Sequence, residues 1–202
     1  MNPKAQQVQE ILNKYVPEPV IPLIHTNPFT LLIAVVLSAQ CTDERVNQVT
    51  ETLFSLATTP QQLLAISLEK LEDIIRPCGL FRTKARALHE ISSTLIKQFN
   101  SRVPQTFTAL ESLQGVGHKT ASVVLSHAFG IEAFPVDTHI FRVAHRWNLS
   151  TKKTVKGVEE DLKRLFPSQH WLKLHLQMIL FARQYCRAKA HRIESCPICS
   201  TL

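Results

Sequence analysis

The sequence predicts an all-α protein, and three observations carry that expectation. Apolar residues recur at three- and four-residue spacing along most of the chain, as in helices with one buried face. Glycine is scarce, 5 in 202 residues, which leaves few sharp reversals. No stretch alternates apolar and polar residues like a half-buried strand, and no Asn-Gly pair marks a hairpin.

The first helix lies in the polar, amphipathic N-terminus, and Pro17, Pro19, Pro22 and Pro28 separate it from the second. Phe29 to Ser38 is apolar on all sides, so it belongs inside a domain. After Ala39-Gln40-Cys41, Thr42 or Asp43 can cap a helix over 44–56, with Val46, Val49 and Leu53 on one face. Thr59-Pro60 opens a short helix through Ala65, Ser67 opens another, and Pro77-Cys78-Gly79 breaks it. Leu80-Phe81 is expected in an exposed turn before a helix over 83–99, whose apolar side is Ala87, Leu88, Ile91, Leu95 and Ile96. Val103-Pro104 breaks again. Residues 107–113 and 119–129 then form two helices joined by the turn 114–118. Asp137 opens a helix to Trp147, and helices over 155–166 and 170–186 precede a short coil holding three cysteines.

Length suits one large domain or two small lobes, and 45% hydrophobic residues are enough for a core. A formal charge of +7 favours a polyanionic partner such as nucleic acid, though many basic proteins bind none. The N-terminus has no apolar signal core. The longest apolar run, Phe29 to Leu37, is too short for a membrane span. The expectation is a soluble intracellular protein, cytoplasmic and nucleoid-associated in a prokaryote. Five cysteines are an odd number, and three fall in the last seventeen residues, which points to metal rather than disulfides.

The chemistry concentrates between Leu113 and Arg146. Gly115 and Gly117 flank Val116 ahead of a helix, where glycine permits positive φ and close backbone approach. Backbone N–H groups at such a helix start, here from Gly115 to His118, can hold a phosphate without reading sequence. The same turn can also simply join two helices. Lys119 comes next among small and apolar residues, Thr120 to Leu125. Partial burial near a positive helix end predicts a lowered pKa and an amine able to form a Schiff base, against the plainer role of a surface lysine. Asp137 suits a helix N-cap, and a cap facing a cleft can also stabilise a cationic sugar. Arg142 is a candidate phosphate contact and His139 a structural residue.

These residues resemble the endonuclease III branch of the helix–hairpin–helix DNA glycosylases. The resemblance rests on LQGVGHKTASVVL, VDTHIFRVAHR, LLIAVVLSAQCTDERVN and CGLFRTKA, in the family's order and spacing from about Pro28 to Cys199. It implies two helical lobes with a DNA cleft between them. One is a six-helix barrel over 21–132 containing the helix–hairpin–helix at about 107–129. The other joins 1–20 to 133–202. By resemblance Lys119 is the Schiff-base lysine and Asp137 the catalytic aspartate. The implied partner is damaged double-stranded DNA, met by a monomer without a membrane. The implied reaction removes an oxidised pyrimidine in base excision repair and nicks the abasic site by β-elimination. Gln40 and Leu80 match positions that fill the gap left by a flipped base; Leu80 also suits an ordinary loop. Asp43 is expected as a structural cap. Relatives acting on adenine opposite oxidised guanine lack the lysine, so Lys119 implies lyase activity. A monofunctional glycosylase and a noncatalytic hairpin module are the alternatives.

The family's C-x6-C-x2-C-x5-C loop, which binds a [4Fe–4S] cluster, is broken here. Cys186 begins in register and Cys196 occupies the third position, but Ile193 and Leu202 stand at the second and fourth, and Cys199 is extra. Three readings stand: a lost cluster, a Cys₃His zinc site of Cys186, His191, Cys196 and Cys199, or a rearranged cluster with a noncysteine ligand. Arg183, Arg187, Lys189 and Arg192 near this loop suit either DNA phosphates or a solvated basic face. Cys41 and Cys78 are expected as small residues at turns.

Overall fold

A computed structural model of the chain describes residues 2–202, and among these every regular element is helical. The chain divides into two compact units, Pro22–Ile131 and the segment up to Ile21 together with Glu132–Leu202. No helix among the described residues is long and apolar enough to cross a membrane.

The continuous unit is built on α2 (Pro28–Leu37), whose residues Phe29 to Leu37 are all buried. Asn27 and Thr30 form a reciprocal capping box at its start, and Pro28 supplies the fixed φ of a first helical residue. Packed against α2 are α3 (Asp43–Leu56), α6 (Phe81–Gln98) and α8 (His118–Phe129). The short α4 (Pro60–Leu64) and α5 (Leu68–Ile75) lie on α6, and α7 (Phe107–Glu111) folds back on α8.

Side-chain caps fix most of these starts. Thr42, Thr59, Ser67 and Thr106 each accept a hydrogen bond from the backbone N–H of the third residue of the helix they precede. Such caps contribute about 1 kcal/mol each. The cap expected of Asp43 belongs instead to Thr42, because Asp43 is already helical and sits in the first turn, where its charge complements the dipole. α6 begins two residues earlier than its periodicity predicts. Leu80 is its N-cap with left-handed φ 49°, so Phe81 is helical rather than part of the turn.

The other unit joins α1 (Pro3–Tyr15) to α9 (Thr138–Arg146), α10 (Val155–Leu165) and α11 (Trp171–Gln184). α1 buries Ala5, Val8 and Leu12, one helical stripe, in a core that includes Phe134, Trp147, Phe166 and Phe181. Gln177 on α11 donates to the Asn13 side chain and to the Val16 carbonyl, which fixes the end of α1. Cys186, Cys196 and Ile198 enter the same core from the C-terminal tail.

Candidate functional site

The turn between α7 and α8 separates the roles of its two glycines. Gly115 has φ 76°, and a Cβ there would touch the Cβ of Ala87 at 3.4 Å. Gly117 is extended at φ −95° and open to solvent, so the positive φ expected of both belongs to Gly115 alone. Val116 is not a DNA-facing residue by its side chain, which is buried; its N–H is also used, donating to the Leu113 carbonyl at 3.1 Å. The apolar side chain anchors the turn. His118 is exposed, with Nδ1 2.7 Å from Glu111 Oε1 and its ring stacked on Phe107. It therefore links α7 to α8.

Gly117 is the N-cap of α8 and has no side chain to close the helix start. α6 likewise begins without a side-chain cap, at Leu80. Helix starts of this kind direct backbone N–H groups and a positive dipole end outward, the chemistry that receives phosphate.

Lys119 occupies the first turn of α8 and is exposed. This corrects the expectation of partial burial. The small and apolar residues after it, Ala121 to Ser126, are the ones that are buried. Farther along the helix, burial and then the charges of His25 and Lys119 push His127 down to about pKa 4.

Asp137 belongs to the other unit and caps α9. One carboxylate oxygen accepts from the Ile140 N–H at 2.8 Å, and a carboxylate has a second to offer. The approach to Asp137 is held down: Ala133 to Val136 are buried, and His175 on α11 donates from Nδ1 to the Pro135 carbonyl at 2.9 Å. His175, itself buried between Leu174 and Leu176, was not singled out from sequence; a histidine in an apolar helix run was its one signal.

Gln40 and Leu80 are both exposed and both left-handed, at φ 54° and φ 49°. Behind them lies a residue that sequence reading missed. Lys84 is buried, and its Nζ donates to the carbonyls of Leu37, Ala39 and Cys78, each at 2.9 Å. It resembled a surface residue because Arg82 and Arg86 flank it. Burial foremost, and then the neighbouring Cys41 thiol, push the Cys78 thiol up to about 11.

Arg142 is placed away from the phosphate role expected of it. Its Nη2 donates to the Cys186 carbonyl at 3.1 Å and the Ala182 carbonyl at 3.4 Å, closing the end of α11. Arg146, one helical turn on, donates from Nη1 to the Arg187 carbonyl at 2.8 Å and approaches Cys186 Sγ at 3.4 Å. Both arginines serve the cysteine tail because positions four apart share a helix face. Arg183, Arg187, Lys189 and Arg192 remain exposed around it.

In that tail the ligand atoms of Cys186, His191, Cys196 and Cys199 all lie within 4.8 Å of one another, a group able to hold a metal ion. Ile193 and Leu202, at the two cysteine positions of the four-cysteine pattern, are exposed. A [4Fe–4S] cluster takes four thiolates around a cube of irons and sulfides. Three thiols this close together do not fit that group.

A family model described as HhH-GPD superfamily base excision DNA repair protein matches residues 33–168. The chain is 45% identical over 195 residues to the endonuclease III of Haemophilus influenzae, covering 96% of this chain and 92% of that protein. It is similar to the protein of a non-covalent endonuclease III–DNA complex, with TM-score 0.91 and 44% identity over 96% of this chain and 92% of that one. A trapped endonuclease III–DNA covalent intermediate gives TM-score 0.91 and 43% identity, covering 96% and 93%.

Proposed function

Because the chain belongs to the HhH-GPD superfamily of base excision DNA repair proteins, on its endonuclease III branch, we infer that it is a DNA glycosylase with abasic-site lyase activity. Its substrate is double-stranded DNA carrying an oxidised pyrimidine, and the proposed working unit is a single chain.

The observation that carries this reading is the position of Lys119, exposed in the first turn of α8 directly after the Gly115–Gly117 turn. Backbone N–H groups at that helix start suit a phosphate of the damaged strand. The damaged nucleotide leaves the stack, at a cost of a few kcal/mol that is least for a damaged base. Leu80 and Gln40 enter the space it vacates. Lys119 attacks C1′ as a neutral amine, forming the N–C1′ bond while the glycosidic bond breaks and its electron pair leaves with the base. The base takes up the proton that the attacking nitrogen gives up. The nitrogen lone pair then forms the C1′=N bond as the ring C1′–O4′ bond breaks; the ring oxygen takes up a proton and the product is a protonated imine. Loss of a C2′ proton then expels the 3′ phosphate and nicks the strand. The second carboxylate oxygen of Asp137 stabilises the positive charge that develops on the sugar.

Borohydride trapping on a duplex containing an oxidised pyrimidine tests this reading. A covalent adduct is expected with the native chain and none with Lys119→Ala. Base release without adduct or scission would make the enzyme monofunctional, and binding without base release would reduce it to a DNA-binding module. An adduct that survives Lys119→Ala would remove Lys119 from the chemistry.

A further inference from the structure

We propose that Cys186, His191, Cys196 and Cys199 bind one zinc ion in a closed tetrahedral Cys₃His site. The ligand spacing carries the inference. Zinc binds sulfur at about 2.3 Å and imidazole nitrogen at about 2.0–2.1 Å, so a tetrahedral site holds two thiolates about 3.8 Å apart and a thiolate and nitrogen about 3.6 Å apart. Cys186 Sγ lies 3.8 Å from Cys199 Sγ and 3.6 Å from His191 Nε2. Cubane ligands stand on the corners of a much larger tetrahedron, because four irons and four sulfides lie inside it.

The donor set points the same way. Three sulfurs and one imidazole suit zinc, and Cys196-x2-Cys199 is a common zinc knuckle. With all four positions taken by protein, nothing is left open for water or substrate, so the ion is structural. Binding converts three thiols to thiolates and releases three protons, giving a site of net charge −1. Arg146 stands ready against that charge, with Nη1 3.4 Å from Cys186 Sγ. An N–H directed at a ligating sulfur is a usual outer-shell partner of a metal site.

Much of the tail between these anchors faces solvent. Arg187 to Ala190 and Arg192 to Ser195 are exposed, and only Cys186, Cys196 and Ile198 are buried there. An ion tying residue 186 to residues 191, 196 and 199 would fix the loop between α11 and the C-terminus where apolar packing does not. Cys199 is the discriminating residue, since the family's four-cysteine pattern has no use for it.

The test uses the full chain purified from cells grown without added metal. Elemental analysis is expected to give one zinc per chain, with neither iron nor acid-labile sulfide, in a colourless protein. Cobalt(II) added to the chelated chain should give the absorption of a tetrahedral thiolate site. Cys199→Ser and His191→Gln should each weaken cobalt binding roughly 10-fold or more, and His191→Cys should restore it. Helical circular dichroism confirms that the variants are folded. Iron and sulfide in a brown protein would overturn the proposal. So would a metal-free protein whose cobalt affinity matches that of Cys199→Ser, or zinc content unchanged in both variants. None of these readouts depends on DNA or on enzyme activity.

Discussion

The ammonium of Lys84 lies 2.9 Å from the carbonyl of Ala39, the residue just before the left-handed Gln40. The same nitrogen reaches the carbonyls of Leu37 and Cys78, the second of which is two residues before Leu80. One buried side chain thus satisfies the C-terminal end of α2 and the turn before α6, and fixes the bases of both exposed turns.

Lys84→Met keeps an unbranched apolar stem and removes the terminal donors. Three inward carbonyls then lack a partner, and an unsatisfied buried polar group costs about 1–3 kcal/mol. The expected loss is about 3 kcal/mol in urea-denaturation stability, because the turns can relax in part. Misplacing groups near a reacting centre by about 1 Å can cost 10²-fold, so base excision by the folded variant should fall on the order of tenfold. A variant with native stability and native excision would make Lys84 dispensable to both turns.

Leu80 is expected to show stability and binding moving apart. It is 58% exposed at φ 49°, a conformation that costs a branched side chain roughly 1–2 kcal/mol and that asparagine tolerates better. Leu80→Asn should therefore leave the melting temperature unchanged or slightly raised. A leucine buried in the gap of a flipped base would lose about 1.5–3 kcal/mol of burial on that change. Affinity for an abasic-site duplex should fall by tenfold to a hundredfold, on the order of that energy. Lost stability with native affinity would make Leu80 a packing residue of its loop.

The pH dependence of stability should carry the mark of His127. Its folded pKa is depressed to about 4, while the unfolded chain protonates near 6.5. Above pH 6.5 both states are neutral at this site, and it contributes nothing to the slope. As pH falls from 6.5 toward 4 the unfolded state takes up the proton first, so stability is lost across that window. The shift corresponds to a loss of up to about 3 kcal/mol, at 1.36 kcal/mol per pKa unit. Urea midpoints measured between pH 4 and 8 should show a steep acid limb for the native chain and a shallower one for His127→Gln. Parallel limbs would assign the acid sensitivity to other groups.

Much of the fold was legible because local signals and burial agree. The nearly unbroken apolar run of Phe29 to Leu37 predicts a central helix, and every one of those residues is buried in α2. Thr59, Ser67 and Asp137 stand where caps belong, and each makes its bond. The features that escaped reading depend on tertiary environment. Lys84 is indistinguishable in sequence from Arg82 and Arg86, and only carbonyls from residues 37, 39 and 78 make its burial tolerable. Leu80 begins a helix in a left-handed conformation that no leucine advertises, so α6 read as starting late. At the hairpin, composition marked the turn but not which groups face outward. Val116 went inward, and Lys119, expected half-buried, went outward. Arg142 went to carbonyls at the end of α11, forty residues downstream.

Asp137 carries two proposed roles that substitution can separate. As the cap of α9 it needs only a side-chain oxygen for the Ile140 N–H, which asparagine also supplies. To stabilise a cationic sugar it needs the negative charge, which asparagine lacks. Asp137→Asn should thus keep urea stability within about 0.5 kcal/mol of native, as caps of similar rank do. Single-turnover base excision should drop on the order of 10²–10³-fold, the scale of one lost electrostatic stabiliser. Asp137→Ala should lose the same activity and a further 1 kcal/mol or so of stability with the cap. Full activity in the asparagine variant would leave Asp137 as a cap alone. Loss of stability in both variants, with excision falling only in proportion to unfolding, would do the same.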